Sequence, residues 1–146
     1  MSIAHATVRV RYAETDQMGV AYHANFFVWF EVGRVELLRQ VGFDYKQMEL
    51  ADDCHIAVVE ACCRYRAPAR YDDELTIETR LTAVRSSVLQ FTYKVYCGGA
   101  GDAAPRLLAE GETSHVVVDR LMAKRSLPKP YTAALANFMG QPPPAR

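Results

Sequence analysis

The chain has 146 residues, half of them hydrophobic, and its 17 basic and 17 acidic side chains balance to a formal net charge of zero. That length fits one domain with an ordinary core, and the neutral balance argues against non-specific nucleic-acid binding. No run is apolar for long enough to insert into a membrane, and residues 1 to 20 lack a signal peptide's order, so a cytoplasmic protein is expected.

Residues 1–6 read as a frayed end. Residues 7–12 are β-branched and weakly alternating, which suits a strand with Val8, Val10 and Tyr12 on one face. A polar turn follows, carrying Asp16, Gly19 and His23. Asn25–Val41 is then a long helix, with Asn25 as a candidate cap, His23 or Ala24 as the alternative boundary, and Gly42 as its stop. Phe26, Phe27, Val28, Trp29 and Phe30 make its first turns apolar all round, the mark of a buried helix. Gly33 costs that helix about 1 kcal/mol against alanine, so a close approach to another backbone is expected there. A connector with a short helix near residues 45–50 comes next.

Four strands then follow at hairpin spacing. Residues 55–67 are apolar on both faces at first and alternate later. Residues 75–84 set Leu75, Ile77, Thr79 and Leu81 on one face. Residues 88–97 do the same with Leu89, Phe91, Tyr93 and Val95. Residues 106–119 form the last strand, where Gly111 predicts a bulge or a close contact. A glycine-rich loop spans residues 98–102. Residues 131–139 form a short terminal helix, and residues 141–146, with three prolines, read as a disordered tail after a single domain of residues 1–140. A long helix beside consecutive antiparallel strands defines an α+β fold.

Cys54, Cys62, Cys63 and Cys97 form no C-x-x-C pair, so no metal site is expected and free thiols are the plain reading. No G-x-S-x-G elbow and no phosphate-binding glycine pattern is present. The informative stretch is Y-A-E-T-D-Q-M-G-V-A-Y-H-A-N, residues 12–25. It sets a carboxylate just ahead of a helix N-terminus, whose unpaired N–H groups can hold a developing negative charge. A base, a water and such N–H groups are what acyl transfer to water needs. Aspartate also favours turns for its own backbone bonds, and a lone histidine is usually a surface or capping residue.

This stretch resembles the loop-to-helix motif of the hotdog-fold acyl-CoA thioesterases, in the 4-hydroxybenzoyl-CoA and Tol-Pal-associated branch. Tyr12, Thr15, Asp16, Gly19, His23, Asn25 and Phe26 carry the likeness. So do Y-R-A-P-A-R-Y-D-D from Tyr65 and A-x-G-x-T from Ala109, leading into V-V-V-D. The resemblance implies a five-stranded antiparallel sheet curved around one central helix, in a homo-oligomer, dimer or tetramer, whose members pair sheets across a dimer. It implies hydrolysis of an acyl-CoA to free acid and coenzyme A, without a cofactor.

It also makes Asp16 the catalytic carboxylate, as general base or nucleophile, and the N–H at His23 the oxyanion donor. The His23 imidazole could also orient water or substrate. Tyr12 either hydrogen-bonds into the site or packs as a strand tyrosine. Glu14 is expected to face solvent. Asn25 and Thr113 are candidate substrate contacts, with capping and core packing as their plainer roles. Coenzyme A's phosphates call for cations, and Arg85, Ser86, Lys124 and Arg125 are the candidates, with Arg64, Arg66 and Arg70 as another group. A hydratase or dehydratase acting on a hydroxyacyl thioester, and a non-catalytic acyl-CoA binder, are the competing functions.

Overall fold

The computed structural model describes residues 2–99 and 104–140. Part of the glycine-rich loop and the proline tail, expected to be disordered, lie outside the described residues. The elements are β1 (Ala4–Arg9), α1 (Asn25–Val41), α2 (Tyr45–Ala51), β2 (His55–Tyr65), β3 (Glu74–Val84), β4 (Val88–Cys97), β5 (Arg106–Val118) and α3 (Lys129–Gly140). The strands form one antiparallel sheet in the order β1-β3-β4-β5-β2, with β2 at a free edge.

The alternation in β3 and β4 does what it promised. Leu75, Ile77, Leu81, Leu89, Phe91 and Val95 are all buried, and they face a helix stripe of Phe26, Trp29, Phe30, Leu37 and Leu38. Phe30 stacks on Tyr93 with ring centroids 4.3 Å apart. Two glycines let helix and sheet close to this distance. A Cβ on Gly33 would overlap the side chains of Thr79 and Ile77, and one on Gly111 would overlap the Phe30 ring. The approach at Gly33 is therefore to side chains of β3, not to another backbone. Gly111 serves ring contact, while the nearby register shift falls at the Val95/Tyr96 step.

Three expectations change. Residues 4–6 are not frayed: they pair with Ile77, Glu78 and Thr79. The first strand ends at Arg9, and Tyr12–Glu14 is a single 3-10 turn that takes Tyr12 off the strand face. The first turns of α1 are not buried all round, because Val28 is 50% exposed and Val32 39% exposed.

The sheet has two distinct ends. Arg9, Glu74, Cys97, Arg106 and Tyr65 mark one of them. Val84, Val88, Val118 and His55 mark the other. At about 3.3 Å per residue, the 11 residues of β3 separate these ends by roughly 33 Å.

Candidate active site

After β1 the chain makes a tight hairpin before entering α1. Tyr22 N–H donates to Glu14 O at 2.8 Å, and Asp16 N–H donates to Val20 O at 2.9 Å. Thr15 and Ala21 form a β-bridge between those bonds. The turn itself is Asp16–Gly19. Met18 N–H donates to Asp16 Oδ1 at 2.9 Å, and Gly19 takes φ +79°, a conformation that glycine adopts without strain. Asp16 thus is a turn aspartate, but with one oxygen only. Among the described residues its Oδ2 accepts no hydrogen bond, and the side chain is half-buried.

The hairpin delivers the chain to the mouth of α1. Ala24, not Asn25, is the N-cap residue, and it offers no side-chain cap. Asn25 instead turns back, its Nδ2 donating to Glu14 O at 2.8 Å. The N–H groups of Tyr22, Asn25, Phe26 and Phe27 are all taken up by backbone carbonyls. Those of His23 and Ala24 have no acceptor among the described residues. These two donors sit where the helix dipole is positive and solvent has access. The His23 imidazole is exposed and leans on Tyr22, with ring centroids 4.5 Å apart.

Two residues to which the sequence assigned no role in the site hold this mouth in place. Glu14, expected to face solvent, is only 6% exposed. Its carboxylate accepts from Arg11 N–H at 2.8 Å and from the Trp29 indole N–H at 3.2 Å. The Arg11-x-x-Glu14 spacing is half of a capping box and was the available signal. Tyr65, at the end of β2, donates its hydroxyl to His23 O at 2.9 Å. Its ring stands edge-on to Phe26 and His23. Burial, then the neighbouring Cys63 thiol, pushes the Tyr65 phenol up to about 12, so it remains a donor.

Other candidates lie elsewhere. Tyr12 is 78% exposed and meets Tyr71 edge-on. Thr113 takes its plainer role of core packing: it is 3% exposed, between the sheet and α1. Its hydroxyl bonds the Tyr93 hydroxyl at 2.6 Å and His115 Nε2 at 2.7 Å. Burial, with the Arg34 charge, pulls His115 down to about 4.

Arg85 and Ser86, and Lys124 and Arg125, are brought together. Leu127 N–H donates to Ser86 O at 2.7 Å, Arg125 N–H to Val117 O at 2.9 Å, and Val117 N–H to Ser87 O at 2.9 Å. All four side chains are exposed. This cluster sits at the end of the sheet opposite Asp16, so within one protomer it lies some 30 Å away, by the strand rise. Of the other group, Arg66 pairs with Glu110 at 3.1 Å. Depressions of about 400 Å3 and 170 Å3 flank α1 and Tyr45, and neither is lined by Asp16 or His23.

A five-stranded antiparallel sheet packed on one long helix is the hotdog architecture. Residues 10–137 match the thioesterase-like superfamily, and the chain belongs to that family. It is a thioester hydrolase. It is 39% identical over 127 residues to the acyl-CoA thioester hydrolase YbgC of Escherichia coli O6:H1, covering 86% of this chain and 90% of that one. It is 32% identical over 138 residues to the putative acyl-CoA thioesterase YneP of Bacillus subtilis, covering 91% and 96%. Among solved structures, the hypothetical protein TT1821 from Thermus thermophilus superposes with a TM-score of 0.83 at 35% identity, covering 93% of this chain and 97% of that chain. No helix among the described residues is long and apolar enough to cross a membrane.

Proposed function

We propose that the protein hydrolyses an acyl-CoA to a free acid and coenzyme A, with Asp16 as the acting carboxylate. The observation that carries this reading is the pairing of a half-buried carboxylate that has a free oxygen, on a hairpin fastened to a helix mouth, with two N–H groups there, all without hydrogen-bond partners among the described residues. As general base, Asp16 takes a proton from water as the oxygen attacks the thioester carbon. As nucleophile, it attacks that carbon itself and water then cleaves the mixed anhydride. In both routes the carbonyl oxygen gains charge against the N–H groups of His23 and Ala24, and the C–S bond breaks to release the thiolate. The thiolate leaves readily, so positioning and charge stabilisation are the protein's task.

A second copy of the chain would bring cations to the nucleotide end of the substrate. The outer edge of β2 is unpaired among the described residues and carries Val58 at 51% and Val59 at 63% exposure. An apolar free edge of 11 residues invites strand pairing. Antiparallel pairing of β2 with its own copy lays the His55 end of one strand beside the Tyr65 end of the other. That brings the partner subunit's Lys124 and Arg125 towards the Asp16 end of the first. The homodimer therefore supplies the phosphate-binding cations that one protomer holds too far away.

Asp16→Asn tests the reading. It removes the base and nucleophile while keeping an acceptor for Met18 N–H. Thiol release from every acyl-CoA that the wild type cleaves should fall by about 10² or more. Turnover within a few-fold of wild type would end the assignment.

A further inference from the structure

We infer that Glu14 is a positioning residue for catalysis: its buried carboxylate, through the Trp29 indole, locks the Asp16 hairpin to the mouth of α1. The inference rests on the assignment of Asp16 and of the His23 and Ala24 N–H groups made above. Glu14 joins the two halves of the site at both its ends. Its carbonyl oxygen accepts from Asn25 Nδ2 and from Tyr22 N–H, each at 2.8 Å. Its carboxylate spans Arg11 N–H at 2.8 Å and Trp29 Nε1–H at 3.2 Å, with the Arg11 guanidinium 3.5 Å away. Asp16 lies two residues further along, on the same hairpin.

The chemistry demands a carboxylate there, not merely a polar side chain. Both partners of its oxygens are donors. An ionised carboxylate accepts on both oxygens, whereas a glutamine amide accepts on one side and donates on the other. Whichever way the amide turns, its NH2 faces either the Arg11 N–H or the indole N–H. Trp29 is 2% exposed, so its indole has no water to fall back on. Glutamine therefore fills the same space and loosens the hairpin from the helix. Misplacing a reacting group by about 1 Å can cost on the order of 10²-fold in rate.

The chain has one tryptophan, so its fluorescence reads this bond directly. The experiment compares the wild type, Glu14→Gln, Trp29→Phe and the double variant, all as full chains, with Asp16→Asn beside them. Readouts are kcat and KM for thiol release from an acyl-CoA that the wild type cleaves, and Trp29 emission. Glu14→Gln should lower kcat by about 10-fold or more, leave KM within about 3-fold and shift the emission, a split expected of a transition-state effect. Phenylalanine carries no N–H to oppose the amide. The double variant should therefore return to within about 3-fold of Trp29→Phe in kcat, as expected of two residues acting as a unit.

Unchanged kcat in Glu14→Gln, or a double variant that falls as far below Trp29→Phe as Glu14→Gln falls below wild type, overturns the inference. If Glu14→Gln does not fold, the double variant measured against Trp29→Phe decides alone. An active Asp16→Asn would sink the underlying mechanism, whereas an inactive one beside a fully active Glu14→Gln would sink only the role of Glu14.

Discussion

Tyr65→Phe isolates the contribution of a single hydroxyl to the helix mouth. The substitution keeps the ring, so the edge-on contacts to Phe26 at 5.2 Å and His23 at 6.1 Å persist. What goes is the 2.9 Å bond to His23 O. That carbonyl is not orphaned, since Phe26 N–H still donates to it at 3.2 Å. The loss is therefore an ordinary net hydrogen bond, about 0.5–1.5 kcal/mol. If it is felt in the transition state, it lowers kcat/KM by about 2- to 12-fold. The pH dependence follows from the raised phenol. Its hydrogen-bonding form is complete below its usual value of 10 and is lost only as pH rises through about 12. The defect should hence be constant through neutral pH. The assay is thiol release across an acyl-CoA panel at several pH values, with thermal unfolding alongside. An unchanged kcat/KM on all substrates would refute the idea that the His23 peptide must be held, as would a defect confined to the melting temperature.

The remaining predictions concern stability and the nucleotide. His115 is fully buried and its folded value, about 4, lies below the usual 6.5. Its neutral form is favoured by folding, so its contribution is complete above 6.5 and fades as pH falls through about 4, worth on the order of 3 kcal/mol in all. His115→Gln should flatten thermal stability over that acid window, and a wild-type-like slope would contradict this. Lys124→Ala with Arg125→Ala should raise KM for an acyl-CoA by about 2- to 10-fold, because both side chains are exposed and screened. KM for the matching acyl-pantetheine, which lacks the nucleotide, should not change. Equal effects on both substrates would remove these residues from the nucleotide site.

Much of the fold was legible because the two periodicities are clean. The 3- and 4-residue spacing of Phe26, Phe30, Gly33, Leu37 and Val41 gave α1, and alternation gave β3 and β4, with inward faces as expected. Misreadings fall where local pattern and tertiary contact part ways. Tyr12 continues the alternation of β1, yet the Arg11–Glu14 bond winds the chain into a 3-10 turn and swings that ring outward. Thr113 was left open between pocket and core because its partners, Tyr93 and His115, come from 20 residues away and from its own strand. Glu14 was the hardest, since a glutamate is rarely buried and only the fold brings Trp29 to it. The chemistry of Asp16 and His23 was suggested by order along the chain, but the unpaired N–H groups became visible only once the other donors were accounted for.

The cation cluster argues most strongly about assembly. Arg85, Lys124 and Arg125 gather at one end of the sheet and Asp16 lies at the other, roughly 30 Å apart within one protomer by the strand rise. Parallel pairing of two β2 edges would place like ends together and leave each Asp16 as remote from the cations as before. Antiparallel pairing crosses them. Mixed dimers separate these cases. Co-expressed Asp16→Asn and Lys124→Ala/Arg125→Ala chains, each with its own affinity tag, give a heterodimer with one site that combines an intact Asp16 with the partner's intact cations. Its KM should return to the wild-type value, with about half the wild-type kcat per dimer, since the second site has lost both. A heterodimer that keeps the raised KM of the cation-deficient homodimer would mean that each chain serves its own Asp16, and the crossed arrangement would have to be abandoned.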